Sequence, residues 1–274
     1  MKEQSKLHII GKISNPKIML IHGVGFYWET CFKEIIEALS GQYCILLPEL
    51  EGHCRKPTKY MSSVSVSATE ILDEIKEKGI TQIDVVYGIS LGASIALEIA
   101  MKNQLIISHL ILDSGQYESM GEMTEQFSVI MAQQFLNLLK GEHLISPIKE
   151  NMGYENKDDV KVLQPLIFPE ITYDALYHAF LVAYDYDIKE RIEKIRMNVV
   201  IMLGGNEIYA KNSIPLVEEK CINPPQVYEV PDKGHAEVLS KEPNVITGLI
   251  KQLFLPIMPL FFPPIETVLH LLYN

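Results

Sequence analysis

The stretch that decides the fold is VVYGISLGAS, residues 85–94, in which a Gly-x-Ser-x-Gly pattern places Ser90 between two glycines. Apolar residues lead into this stretch as a strand does, and a helix pattern over residues 91–102 leads out of it. Gly88 and Gly92 leave room for the very tight turn that joins a strand to a helix at such a serine. On that turn the serine hydroxyl projects above the sheet. We therefore predict that Ser90 is a nucleophile.

A serine hydroxyl needs a base to take its proton, and that base needs a carboxylate to orient it. Of the eight histidines, we predict His235 as the base, because it follows the last strand-like run on a flexible loop ahead of a helix. Glu207 comes just past a strand-like run and gives the chain order Ser, acid, His that follows a nucleophile turn of this kind. Asp113 also ends a strand-like run and is the competing acid. We favour Glu207, since Asp113-Ser114-Gly115 can equally be a structural turn.

A developing oxyanion needs two amide donors. The amide of Leu91 lies at a helix start, where negative charge is favoured. The segment His22-Gly23-Val24-Gly25 follows the strand-like run at residues 17–21, and its small residues permit close approach. We predict Val24 and Leu91 as the donors of an oxyanion hole. His22 is interpreted as a hydrogen-bonded structural residue and not as a proton carrier.

Short apolar runs alternate with helical patterns, which predicts an α/β fold with a mostly parallel central sheet of about seven to eight strands flanked by helices. Strands are predicted at residues 7–13, 17–21, 43–47, 84–87, 106–112, 199–203 and 226–230. Helices are predicted at 30–39, 91–102 and 243–254, and between the capping box Ser67-Ala-Thr-Glu70 and Gly79. The rhythm stops over residues 114–195, which are helix-like. We predict a core at 1–113 and 196–254 with a helical cap at 114–195.

Residues 255–274 form an apolar tail that is rich in proline. The apolar run is shorter than the roughly 20 residues that span a bilayer. We expect the tail to dock onto the protein's own surface or onto a second subunit, which would make a homo-oligomer. The alternative is weak peripheral contact with a membrane.

The composition narrows the classes of ligand. The net charge of −11 disfavours a nucleic-acid partner, because binding to phosphates needs Lys and Arg. The four cysteines have no paired spacing and are interpreted as reduced thiols in a cytoplasmic protein, and the start of the chain lacks a signal-peptide core. No metal-binding cluster or phosphate-cradling loop is apparent in the sequence. We expect a small-molecule substrate, no cofactor and no metal.

Taken together, these segments resemble the α/β-hydrolase superfamily, in its capped branch of small esterases and lipases. The resemblance implies an eight-stranded, mostly parallel sheet and a helical cap that shapes the substrate pocket. Glu207 stands where family members commonly have Asp, and Gly52-His53-Cys54 departs from the usual Gly-His-Gly. The region of the first strands is also short, so that one edge strand is missing. The segments that carry the resemblance are HGVG (22–25), PELEGHC (48–54), YGISLGAS (87–94), LGGNE (203–207) and GHAEVLSKEP (234–243).

The expected reaction is acyl transfer to water, with cleavage of an ester-like bond in a small, apolar substrate through an acyl-enzyme. Two alternatives stay open: a lyase or C–C-bond hydrolase that uses the same triad, and a small-molecule-binding protein with little turnover. The cap is rich in aromatic residues, which either line an apolar pocket or pack the core of the cap. These residues are Phe127, Phe135, Phe168, Tyr173, Tyr177, Phe180 and Tyr184.

Overall fold

Seven strands form one sheet within residues 7–255, which are the residues that the computed structural model describes. The strand order is β1-β3-β2-β4-β5-β6-β7, and every neighbouring pair is parallel except β1 with β3. The predicted fold class, a mostly parallel sheet of seven to eight strands, is confirmed. The strands are β1 (Leu7–Ile10), β2 (Lys17–Ile21), β3 (Cys44–Pro48), β4 (Gln82–Ile89), β5 (Ile106–Asp113), β6 (Asn198–Gly204) and β7 (Gln226–Val230).

The described residues also form eleven α-helices, which flank the sheet or lie in the long insertion after β5. Parallel sheets are usually covered on both faces, and the central strands β2, β3 and β4 are accordingly almost wholly buried. The helices are α1 (Trp28–Cys31), α2 (Lys33–Leu39), α3 (Val64–Glu77), α4 (Leu91–Lys102), α5 (Thr124–Leu139), α6 (Ser146–Asn151), α7 (Asp159–Leu163), α8 (Tyr173–Asp185), α9 (Ile208–Lys220), α10 (Glu237–Lys241) and α11 (Pro243–Leu253).

The carboxyl ends of the central strands meet at one edge of the sheet. The register pairs Ile21 of β2 with Gly88 of β4, Ile89 of β4 with Asp113 of β5, and Asp113 with Met202 of β6. Loops that leave these strands therefore start side by side. In open α/β sheets, ligands bind at this edge.

Helices α5 to α8 occupy the long segment between β5 and β6, and α5 packs against α8. The segment also contacts the loop after β2, where Phe26 forms a β-bridge with Ile167 and the Phe168 amide donates to the Gly25 carbonyl at 2.8 Å. The helical segment therefore lies over the edge where the strands end. Within residues 7–255, no helix combines the length and apolar character needed to cross a membrane.

Two local predictions are wrong. Helix α3 begins at Val64, not at the predicted capping box, because the Ser63 hydroxyl caps it by accepting from the Val66 amide at 3.1 Å. Ser67 lies inside the helix and donates to the Glu51 carboxylate at 3.0 Å. Strand β1 ends at Ile10 instead of residue 13, since Gly11 turns the chain with φ +93°. The predicted tail lies outside the described residues except for Leu255.

Candidate active site

Ser90 lies on a strained turn between β4 and α4, with φ 55° and ψ −122°. The turn requires glycine on both sides: a Cβ on Gly88 would lie 2.1 Å from the Gly92 carbonyl oxygen, and a Cβ on Gly92 would lie 2.1 Å from the Ile21 carbonyl oxygen. The Ser90 amide donates to the Asp113 carbonyl oxygen at 2.8 Å. Such a conformation costs about 1–3 kcal/mol and persists only where its surroundings enforce it. Helix α4 provides this support, because its residues 91–101 are all buried.

His235 is held by the segment that follows α6. Its amide donates to the Met152 carbonyl oxygen at 2.9 Å, and the Tyr154 hydroxyl donates to the His235 carbonyl oxygen. Gly234 permits this approach, since a Cβ there would lie 2.8 Å from the Met152 oxygen. The inserted helical segment thus fixes the backbone of the predicted base.

Glu207 follows β6 and contacts His235 directly. Its Oε2 lies 3.0 Å from Nδ1 of His235, and its Oε1 accepts from the Gly204 amide at 2.7 Å. The Tyr209 hydroxyl lies 3.1 Å from the same Oε2 and 2.6 Å from Nδ1 of His235. Glu207 and His235 are 0% and 4% exposed, so this pair interacts in a poorly hydrated environment where electrostatic attraction is strong.

Asp113 lies at the same edge but does not contact His235 through a hydrogen bond in the described residues. Its Oδ2 accepts from the Tyr87 hydroxyl at 2.5 Å, and its Oδ1 lies 2.9 Å from the Ser114 hydroxyl. Burial, opposed by the hydrogen bond from Tyr87 and reinforced by the nearby Glu207 charge, raises the pKa of Asp113 to about 7.

Ser90 and His235 line one cavity of about 610 Å³, together with Val24 and Leu91. Within residues 7–255, no hydrogen bond joins the Ser90 hydroxyl to the His235 imidazole. The backbone amides of Val24 and Leu91 donate no hydrogen bond to another described residue. Nucleophile-to-base hydrogen bonds are often long before substrate binds. The cavity therefore brings together a hydroxyl, an imidazole and two amides with unused hydrogen-bonding capacity.

The aromatic residues of the predicted cap divide into two groups. Four of the seven predicted residues line the cavity, and three do not. The four lie on α5 and α8, and each ring contacts the next to form a row. The ring centroids are 6.5 Å apart for Phe127 and Tyr184, 5.7 Å for Tyr184 and Phe180, and 4.9 Å for Phe180 and Phe135. We call them the aromatic wall: Phe127, Tyr184, Phe180 and Phe135.

Two buried histidines brace the loop of the predicted oxyanion hole, and the sequence suggested a structural role for only one of them. Nε2 of His53 accepts from the Gly25 amide at 3.0 Å, while its Nδ1 lies 3.0 Å from the Glu51 carbonyl oxygen. Nδ1 of His22 lies 3.0 Å from the Gly23 carbonyl oxygen. Burial lowers the pKa of His53 to about 4 and, aided by His53, that of His22 to about 3. Both rings are therefore neutral and shape the loop without moving protons.

If the chain catalyses the ester hydrolysis that the sequence predicts, replacing His53 with leucine is expected to lower its kcat about tenfold with little change in KM. The change removes the acceptor of the Gly25 amide and loosens the loop that carries Val24. Steady-state kinetics check this, with His143→Gln as the control, because the exposed His143 side chain contacts Asp159 and does not line the cavity. A rise in KM at constant kcat would contradict a role in the oxyanion loop.

Within the described residues, no group of three or more His, Cys, Asp or Glu side chains is arranged to hold a metal ion.

A family model described as alpha/beta hydrolase family matches residues 18–244 of the chain. No curated protein gives a match. The chain is 51% identical to a protein from Desulfitobacterium hafniense that was solved as a member of an alpha/beta hydrolase family, with a TM-score of 0.89. The match covers 90% of this chain and 99% of that one.

Two more distant solved structures share the fold. A lipase-esterase related protein from Clostridium acetobutylicum is 17% identical, with a TM-score of 0.68 over 91% of this chain and all of that one. A thermophilic esterase from Thermogutta terrifontis is 16% identical, with a TM-score of 0.67 over 90% of this chain and 91% of that one. At such identities the likeness concerns the fold alone.

Proposed function

The chain belongs to the alpha/beta hydrolase family, and from this membership we propose that it is a serine hydrolase that cleaves an ester-like bond through an acyl-enzyme. One observation carries the proposal: Nδ1 of His235 lies 3.0 Å from Oε2 of Glu207, and His235 lines the same cavity as Ser90. A carboxylate in this position fixes the imidazole tautomer and stabilises the imidazolium that forms during proton transfer. Nε2 is then the ring nitrogen that can accept the proton of the Ser90 hydroxyl.

The proposed reaction has two steps. The Ser90 oxygen attacks the acyl carbon while its proton passes to Nε2 of His235, and the leaving alcohol takes that proton as the ester bond breaks. Water then attacks the acyl-enzyme, gives its proton to His235 and releases the carboxylic acid, and Ser90 recovers its proton. The amides of Val24 and Leu91 stabilise the oxyanion in both steps. Losing one such donor typically costs about 10²–10³ in rate.

The cavity favours an uncharged substrate. Apart from His235, Glu118 is the one formally charged side chain that the described residues place on its lining, and Glu118 is paired with Lys189. The aromatic wall supplies apolar surface from α5 and α8. An anionic group in this cavity would lose its hydration without gaining a cationic partner, which is costly. We therefore propose a neutral, mainly apolar acyl or alcohol group.

A matched pair of p-nitrophenyl esters tests this proposal. The neutral pentanoate is expected to be hydrolysed with a kcat/KM about 100-fold or more above that of the glutarate half-ester, which carries a terminal carboxylate on a chain of equal length. An unpaired buried charge costs about 3 kcal/mol or more, which corresponds to this ratio. Equal kcat/KM values would contradict the neutral-substrate assignment. A folded protein that hydrolyses neither of these esters, nor neutral p-nitrophenyl esters with shorter or longer acyl chains, would contradict the hydrolase assignment itself.

A further inference from the structure

The Ser114 hydroxyl lies between two buried carboxyl groups. Its Oγ is 2.9 Å from Oδ1 of Asp113 and 2.7 Å from Oε1 of Glu207. A hydroxyl has one proton, so it can donate to only one of these oxygens. If both carboxyl groups were ionised, the other contact would bring a hydroxyl lone pair against a negatively charged oxygen. The geometry therefore favours a state in which one of the two carboxyl groups carries a proton, since a shared hydroxyl proton would satisfy two buried negative charges only weakly.

The remaining donors show which group is ionised. Glu207 receives the Gly204 amide at 2.7 Å and faces the Tyr209 hydroxyl and Nδ1 of His235. Asp113 has a single other donor among the described residues, the Tyr87 hydroxyl on Oδ2. A negative charge is stabilised by the number of donors that point at it. The charge belongs on Glu207, and the proton on Asp113.

We propose that Asp113 works as a protonated carboxylic acid that donates to Ser114, so that Ser114 donates its own proton to Glu207. Asp113 is then a positioning residue: it acts on His235 through Ser114 and Glu207 and does not touch the reacting atoms. The expected effect on catalysis rests on the proposed function. The protonation of Asp113 does not depend on it.

The surroundings of Asp113 make this proton removable near neutral pH. The titratable groups that face it are Tyr87 on β4, Glu207 and His235 on the neighbouring loops, and the buried Tyr117, whose pKa it raises. Burial and the Glu207 charge oppose ionisation of Asp113, whose pKa is about 7. Above that pH, both carboxyl groups are ionised and compete for the single proton of the Ser114 hydroxyl. The hydrogen bond from Ser114 to Glu207 therefore weakens. We expect kcat/KM to decline as pH rises through this range.

Asp113→Asn tests the proposal, because an Asn amide group can donate to Ser114 and accept from Tyr87 as the protonated acid does. At pH 6 we expect Asp113→Asn to stay within about fivefold of the parent, and Asp113→Ala to lose about 10- to 100-fold. The alkaline decline is expected to disappear in Asp113→Asn. In Tyr87→Phe it is expected to move to higher pH, because the Tyr87 hydrogen bond stabilises the ionised form.

Two kinetic results would overturn the proposal. If Asp113→Asn is as impaired as Asp113→Ala at every pH, the ionised carboxylate is what the protein needs. If the alkaline decline is the same in the parent, Asp113→Asn and Tyr87→Phe, Asp113 does not cause it.

Unfolding by denaturant tests the protonation separately from catalysis. A folded-state pKa raised above the unfolded value of 3.8 adds stability that is present below that pH and is lost as pH rises through about 7. The parent should therefore lose stability relative to Asp113→Asn between pH 4 and pH 8, whether or not the chain hydrolyses esters. A constant difference between the two proteins would overturn the protonation of Asp113.

Discussion

Replacing Ser90 with alanine is expected to lower kcat for a neutral p-nitrophenyl ester by about 10⁶-fold, to the level left by the oxyanion donors and binding alone. Ser90 is the only protein group in the proposed reaction that forms a bond to the acyl carbon. Ala keeps the Cβ at φ 55°, and Gly23, whose own Cβ would lie 3.1 Å from that of Ser90, still fits against it. The loss should therefore come from the hydroxyl and not from a changed turn.

Ser128→Ala is the matched control for this variant. Ser128 is buried, its hydroxyl donates to the Thr124 carbonyl oxygen at 2.7 Å within α5, and it does not line the cavity. Steady-state rates should be measured for both variants, together with thermal unfolding to show that each variant is folded. A folded Ser90→Ala protein within about tenfold of the parent would exclude Ser90 as the nucleophile.

The second large effect is expected at the acid. Glu207→Gln should lower kcat about 10⁴-fold, since a neutral amide neither holds the imidazole in the required tautomer nor stabilises the imidazolium. Gln preserves the size of the side chain and leaves an oxygen to accept from the Gly204 amide. The loss should therefore appear in kcat, in a protein that remains folded.

Glu51→Gln is a fitting comparison, because Glu51 is another buried glutamate that accepts from a serine, Ser67, and it does not line the cavity. It is expected to leave kcat nearly unchanged. If Asp113→Asn abolishes activity while Glu207→Gln does not, the two carboxyl groups have to exchange roles, and both the triad proposed here and the neutral state of Asp113 fail.

The parts of the fold that the sequence predicts well are those with local causes. Helix α4 runs from Leu91 to Lys102 as predicted, because the glycines around Ser90 permit only one kind of turn and the apolar pattern continues from it. Strands β2 and β7 also have their predicted bounds. In each case the residues that define the element lie within the element.

The parts that the sequence does not predict depend on contacts between distant residues. His53 supports the Gly25 amide from 28 positions away, and Ser114 joins two carboxyl groups that are far apart along the chain. Tyr209 was missed with the whole of α9, which contains Pro215, a residue that normally interrupts a helix. Only its position, two residues after the predicted acid, could have marked Tyr209 as a neighbour of the imidazole.

The start of helix α3 also depends on residues outside the predicted capping box at Ser67. The sequence has serine hydroxyls at residues 62, 63, 65 and 67, and the prediction chose Ser67 because Glu70 follows it. Ser63 caps the helix by accepting from the Val66 amide, while Ser67 lies inside the helix and donates to Glu51, a partner outside it. A local rule cannot weigh such a partner.

Mass spectrometry after treatment with a fluorophosphonate shows whether Ser90 is an activated nucleophile, since this reagent forms a covalent adduct with a serine that has been activated by a base. We predict one adduct per chain, mapped to the peptide that contains Ser90, absent in Ser90→Ala and strongly slowed in His235→Ala. A folded, unlabelled protein, or an adduct on another residue that persists in Ser90→Ala, would contradict the assignment of Ser90 and His235.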